Sequence, residues 1–228
     1  MAKKKAEPKK RIFLVEDHEV LRQGLRLFIG QESDMEVCGE AGNAVDALTA
    51  ITALHPDAVV TDISMPGTNG IEFLKNLKAR HPEIVAVVLS MHDENIYAER
   101  ALRAGALGYV MKKESAGEVL IALRKAFKGE RHVSDKVTGG LLLRALGRPD
   151  RGTLAAFSPV ELLSDRELEV FERIGRGGDT KSIANALGVS PKTVETHRMH
   201  IKDKLQIKTM SELIQYAAVW VDRKTSGE

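Results

Sequence analysis

The chain has 228 residues, with 34 Lys and Arg against 32 Asp and Glu, seven histidines and one cysteine. That length suits one large or two ordinary domains. The near-balance of charge excludes a polycation, and a single cysteine, Cys38, excludes an internal disulfide or a thiolate metal cage.

The opening MAKKKAEPKKR is a basic run with no apolar stretch behind it, unlike a secretory signal. Its simplest reading is a solvated tail over 1–10, with an arm touching nucleic acid as the alternative. No stretch is apolar for long enough to span a bilayer, and the histidines show no ligand spacing, so a cytoplasmic protein without a membrane partner is expected. From 11 to 128, short aliphatic runs alternate with amphipathic stretches. Strands are predicted at 11–15, 35–39, 58–61, 85–89 and 108–111, with Cys38 packed inside the second. Between them, Val20, Leu21, Leu25 and Phe28 share one helical face, as do Val45, Leu48 and Ile51, and Ile71, Leu74 and Leu77. Ser115 and Glu118 read as a capping box opening a helix through Phe127. Regular alternation of this kind predicts an α/β fold, a doubly wound five-stranded parallel sheet.

Residues 129–160 break the pattern with glycine, proline and mixed charge and read as a linker holding a short helix near 138–146. From Ser164 onward the chain is all helical. Ser164 and Glu167 form a second capping box, Leu168, Phe171 and Ile174 follow on one face, and the glycines at 175–178 end that helix. A short helix at 180–187, a turn at Gly188 and Val189, and a helix from Ser190 as N-cap and Pro191 to about Leu205 make a helix-turn-helix. A last helix is expected near 211–221, within a domain over 161–222, and 223–228 as a polar tail.

Polar residues mark the strand ends: Glu16 and Asp17, Asp62, Ser90 and Lys112. A doubly wound sheet brings such positions to one edge. Crowded carboxylates repel unless a cation joins them, and oxygen ligands suit Mg2+. A carboxylate beside that ion can attack a phosphoryl group, while a lysine neutralises charge on the transferring oxygens. Each residue alone has a plainer reading as a helix cap or surface charge; five at successive strand ends form a set.

In that order, FLVEDH, VVTDISMPGTNG, VVLSMH and GYVMKK resemble the receiver domain of two-component response regulators, over about 11–128. The resemblance implies a flavodoxin-like fold with Asp62 as phosphoacceptor. It implies Mg2+ held by Glu16, Asp17, Asp62 and the backbone carbonyl of Ser64. Ser90 becomes the switch hydroxyl, Tyr109 the switch aromatic and Lys112 the phosphate-contacting lysine. Glu16 stands where many receivers have Asp, and Lys113 where many have proline. Ser64 and His92, two residues past Asp62 and Ser90, occupy positions that tune dephosphorylation in similar proteins.

Basic residues cluster on the helix-turn-helix: Lys181, Lys192, Arg198, Lys202, Lys204 and Lys208, against Glu195 and Asp203. That is the electrostatic footprint of phosphate binding, although a solvated helix face gives a similar pattern. The segment LSDRELEVFERIGRGGDTKSIANALGVSPKTVETHRMHIKDKL closely resembles the LuxR-type helix-turn-helix. The resemblance implies that Lys192, Glu195, Thr196, Arg198 and Met199 face DNA, with Thr193 beside them, and that Lys181 and Lys202 hold phosphates. Glu195 has to accept from a base or sit beside a lysine, because facing a phosphate is repulsive.

A receiver followed by a LuxR-type domain is the NarL/FixJ pattern. It implies a transcription regulator, not an enzyme beyond its own phosphoryl transfer and slow dephosphorylation. A sensor histidine kinase would be its donor, double-stranded DNA its target and a homodimer its active form. Two other readings compete. One is an interaction receiver whose DNA binding ignores phosphorylation. The other is a haloacid-dehalogenase-like phosphohydrolase, which needs a second Asp two positions after the first, where Ser64 stands.

Overall fold

Val, Ile, Leu and Ala make up most of β1 (Lys10–Val15), β3 (Ala58–Thr61) and β4 (Val85–Ser90), and nearly all of these residues are buried. β-branched runs buried on both faces are the mark of strands in a parallel sheet. In the computed structural model, which describes residues 8–65, 67–145 and 159–225, β2 (Met35–Ala41) and β5 (Gly108–Met111) complete a five-stranded sheet of order β2-β1-β3-β4-β5. All four pairings are parallel. The chain runs outward from β1 to β2, then returns past it to β3. The carboxyl ends of β1 and β3 therefore flank the crevice where such sheets bind ligands.

Helices α1 (Glu19–Gly30), α2 (Ala44–Leu54), α3 (Gly70–Arg80), α4 (Glu94–Arg103) and α5 (Ala116–Phe127) connect and follow the strands. α1 buries Leu25 and Ile29, and α2 buries Ala47 and Ile51. Two expected core residues lie outside: Val20 is 86% and Val45 68% exposed. Each lies one residue, about 100°, off the buried stripe: Val20 shares the outer face of α1 with the exposed Leu27, and Val45 stands beside the buried stripe of Ala44, Ala47 and Ile51. Cys38 is half-buried rather than packed away, and burial pushes its thiol up.

After α5 the chain turns back onto β5. His132 N donates to the Leu107 carbonyl, Tyr109 N donates to the His132 carbonyl, both at 2.8 Å, and Gly108 and His132 form a parallel bridge. His132 Nε2 also lies 3.3 Å from the Glu118 carboxylate. A second departure lies at the start of α5. Ser115 caps it without a side-chain hydrogen bond, because Glu118 N donates to the Ser115 carbonyl at 3.0 Å, and the Glu118 carboxylate, expected to reach back to Ser115 N, lies beside His132. The short helix expected near 138–146 is α6 (Asp135–Ala145); Leu146 lies outside the described residues.

By Cα packing the chain divides into units Met1–Val137 and Thr138–Glu228. In the second, a 3-10 turn (Pro159–Leu162) precedes α7 (Asp165–Gly175), α8 (Thr180–Leu187), α9 (Pro191–Leu205) and α10 (Met210–Thr225). Here the capping box forms in full: Ser164 Oγ accepts from Glu167 N, and Glu167 reaches back to Ser164 N at 2.7 Å. Phe171 on α7 meets Tyr216 and Trp220 of α10 with ring centroids 5.8 and 5.3 Å apart. A Cβ at Gly175 would fall 2.4 Å from the Ala217 carbonyl oxygen, so α7 and α10 close only because that side chain is missing. α10 continues to Thr225, past the end expected near Val221.

Candidate functional site

β1 and β3 end in register, Val15 beside Thr61, and Asp62 N donates to the Val15 carbonyl at 2.9 Å. This places Glu16, Asp17 and Asp62 around one crevice. β4 delivers Ser90, which is fully buried, and β5 delivers Lys112, whose N–H donates to the Ser90 carbonyl at 2.8 Å. The five strand-end positions therefore meet at one edge of the sheet.

Lys112 crosses the crevice. Its Nζ lies 2.7 Å from Asp62 Oδ2 and 2.8 Å from Glu16 Oε2, with all three side chains under a tenth exposed. The other Asp62 oxygen, Oδ1, accepts from Ile63 N at 2.6 Å. Burial pushes the Glu16 carboxyl above its ordinary range, and nearby Asp62 adds to that, while the hydrogen bond from Lys112 opposes both. Burial pulls the Lys112 ammonium down, but attraction to Asp62 and Glu16 more than offsets it, so the amine stays charged. One lysine thus compensates two buried carboxylates, the arrangement that makes such charges tolerable in a protein interior.

Ligand atoms of Glu16, Asp17 and His18 lie within 4.8 Å of one another. Asp17, with its side chain 30% exposed, opens this group to solvent. Hard oxygen donors beside an over-acidic, half-open crevice fit a hard divalent cation; the His18 ring, 80% exposed, offers nitrogen that Mg2+ does not favour. His92 joins the remaining polar residues. Its Nε2 lies 2.6 Å from Ser64 Oγ, its N–H donates to Ser90 Oγ at 3.2 Å, and its carbonyl accepts from Tyr109 Oη at 2.8 Å. Its ring packs 4.4 Å from that of Tyr97, and Tyr109 itself is 3% exposed, its ring turned inward.

Several positioning residues were not singled out in the sequence. Arg22 on α1 donates to the Glu16 carbonyl at 2.6 Å and fixes the loop after β1. Asn69, buried, caps α3 by accepting from Ile71 N at 2.8 Å. A Cβ on Gly70 would stand 2.2 Å from the Asp62 carbonyl oxygen and 2.6 Å from Ile63 Cα. The loop carrying Asp62 thus folds directly onto the start of α3. The signal was the Asn-Gly pair after MPGT, a turn and cap chemistry.

In the second unit, Asp179 and Ser190 cap α8 and α9, Gly188 adopts the left-handed conformation between them, and Pro191 opens α9. Val194 and Ile201 are buried. Lys181, Lys192, Glu195, Thr196 and Met199 are exposed; Thr193 and Lys202 are half-buried, Thr193 with its hydroxyl 2.8 Å from Ser190 Oγ. Arg198 departs from the expected outward set. It is 9% exposed, and its guanidinium donates to Thr180 Oγ1 at 2.6 Å and to the Gly178 carbonyl at 3.3 Å. It therefore ties α9 to the start of α8, because its position on α9 falls on the inner side between Val194 and Ile201.

Residues 12–124 match the response regulator receiver domain family, and residues 161–217 match the luxR family of bacterial regulatory proteins. The oxygen regulatory protein NreC of Staphylococcus aureus (strain JH9) is 36% identical over 208 residues, which are 91% of this chain and 96% of that protein. The chain belongs to the NarL/FixJ-type response regulators. This response regulator is also similar to a solved LuxR-family two-component regulator from Aurantimonas sp. SI85-9A1, 29% identical with TM-score 0.56, over 61% of this chain and 99% of that one. It shares its fold with RcsB of Salmonella enterica serovar Typhimurium, solved bound to a promoter in the presence of a phosphomimetic, at 24% identity and TM-score 0.64 over 93% of this chain and 100% of that one. As a response regulator with receiver and LuxR-type domains, it is a DNA-binding regulator of transcription. Among the described residues no helix is long and apolar enough to cross a membrane.

Proposed function

We propose that this regulator is switched by phosphorylation of Asp62, with a sensor histidine kinase as donor, and that the modified protein binds operator DNA as a homodimer in the cytoplasm. The observation that carries the reading is the Lys112 ammonium held between Asp62 and Glu16, at 2.7 and 2.8 Å. Asp62 presents a carboxylate oxygen as nucleophile; it bonds to phosphorus as the bond to the donor's imidazole nitrogen breaks. Lys112, already charged, then faces the new phosphoryl oxygens. Glu16, Asp17, Asp62 and the Ser64 carbonyl would hold Mg2+, which supplies charge neutralisation for the transferring group. No other activity is assigned to the pocket.

Ser90 and Tyr109 carry the response. Both reach the His92 backbone, Ser90 by accepting its N–H and Tyr109 by donating to its carbonyl. A phosphoryl group on Asp62 offers Ser90 Oγ a stronger acceptor, which releases His92 N and shifts a two-state equilibrium of this loop. Lys181, Lys192, Thr193, Glu195, Thr196, Met199 and Lys202 form the DNA face; Arg198 contributes to it from within the domain. A dimer reads two half-sites about one helical turn apart.

Acetyl phosphate with Mg2+, read by intact mass and then by DNA binding, tests the reading. A single phosphoryl adduct, absent in Asp62→Ala and accompanied by tighter DNA binding, supports it. An adduct without change in DNA binding favours the interaction-receiver reading, and no adduct overturns the pocket assignment.

A further inference from the structure

The recognition helix carries an acid among bases, and the fold holds that acid in one place. Glu195 lies on the exposed side of α9, its side chain 55% exposed. A carboxylate there is repelled by DNA phosphates, and if it were free to turn it would be drawn to a neighbouring lysine such as Lys192. Instead its Oε1 accepts from Thr180 Oγ1 at 2.5 Å, from the first turn of α8. Arg198 Nη1 donates to the same Thr180 oxygen at 2.6 Å and stands 3.6 Å from Glu195 Oε1. The Gly178 carbonyl anchors the guanidinium from behind. The chain of donors runs one way, from Arg198 to Thr180 to Glu195. Among the described residues, Glu195 Oε2 has no protein partner.

We propose that Glu195 is a specificity-determining residue, which reads cytosine by accepting from its N4 amine in the major groove. Thr180 and Arg198 are positioning residues that set its carboxylate. The inference rests on α9 being the recognition helix. Only cytosine N4 and adenine N6 offer donors in that groove, and adenine places the acceptor N7 beside its amine, which repels a carboxylate. Guanine and thymine present acceptors there. Guanine and thymine are therefore rejected outright, and adenine in part. Holding one oxygen on Thr180 spares the ordering cost that a freely rotating Glu would meet on binding.

The experiment is selection of bound duplexes from a random library by the full chain after acetyl phosphate and Mg2+ treatment. Wild type, Glu195→Gln, Thr180→Val and Thr180→Ser are compared, followed by direct binding to the selected site and its single-base variants. Wild type is expected to select a motif with cytosine at one position of each half-site. Glu195→Gln should keep the rest of the motif but lose about tenfold of the preference at that position, moving toward adenine, whose N6 and N7 suit an amide. Thr180→Val should weaken the same preference and Thr180→Ser restore it, a pattern that a merely structural role for Thr180 would not produce. An unchanged preference in Glu195→Gln overturns the proposal. So does a uniform gain in affinity for every sequence, which would make Glu195 only a repulsive charge. If wild type selects no motif, the recognition-helix reading fails and takes this assignment with it.

Discussion

The receiver pocket and the recognition face both concentrate charge, and they handle it in opposite ways. In the pocket, Glu16 and Asp62 are 2% and 4% exposed, and the compensating charge, Lys112, comes from the same domain. On the recognition face, Lys181 and Lys192 are exposed, and among the described residues neither side chain is paired with an acid. The pairing of Lys112 with Asp62 and Glu16 is made within the domain and is shielded from salt. The recognition face is left open for an external anion and is screened by it. Phosphorylation of Asp62 should therefore change little with ionic strength, while DNA binding falls steeply.

The sharpest way to break this contrast is to remove the internal counter-charge. Lys112→Met leaves two buried carboxylates facing each other and should destabilise the receiver by about 3 kcal/mol, measured by urea unfolding at neutral pH. Added Mg2+ should raise the variant's midpoint more than that of the wild type. Gly70→Ala strikes the same pocket through the backbone, since its methyl would meet the Asp62 carbonyl oxygen at 2.2 Å. A cost of roughly 2 kcal/mol is expected, with slower adduct formation by intact mass.

The DNA-binding domain responds to pH through Glu167. Burial pushes this carboxyl up, but the Lys204 hydrogen bond at 2.6 Å and the Ser164 N–H outweigh it and hold it below its usual 4.5. A depressed carboxyl stabilises fully above its unfolded value and loses that contribution as pH falls through the folded one. Glu167→Gln should then cost about 1 kcal/mol at neutral pH, and the gap to wild type should close as the pH drops below 4.5. The smallest effect is expected at Arg124, whose guanidinium reaches Asp34 at 2.9 Å and Glu32 at 2.6 Å on the surface. Arg124→Ala should cost about 0.5 kcal/mol or less, and less again in high salt.

Two capping boxes show how far the sequence could be read. Ser115 with Glu118 and Ser164 with Glu167 have the same spacing, yet only the second forms. At Ser115 the Glu118 N–H bonds the serine carbonyl rather than its hydroxyl, and the Glu118 carboxylate lies against His132, from a distant segment. Local chemistry was legible wherever no such partner intervened. The strands followed from aliphatic runs, and α8 and α9 from the Gly188 turn, Ser190 and Pro191. The pocket was legible because strand ends converge by topology, independent of side-chain detail. Arg198 was not, since a basic residue on a basic helix gives no sign that Thr180 and Gly178 will hold it inward. Gly70 was quoted within a motif, but its reason, a backbone approach that tolerates no Cβ, exists only in three dimensions.

The return of the chain onto β5 decides where this receiver can be cut. β5 is the last strand of the sheet, and His132 covers its outer rim, satisfying the Leu107 carbonyl and the Tyr109 N–H. A fragment trimmed at Lys128, where α5 has ended, would bare both groups along an apolar edge, a template on which a second chain can pair. Residues 129–133 are in this sense the selvage of the sheet: a receiver that keeps them should stay single in solution, and one without them should self-associate.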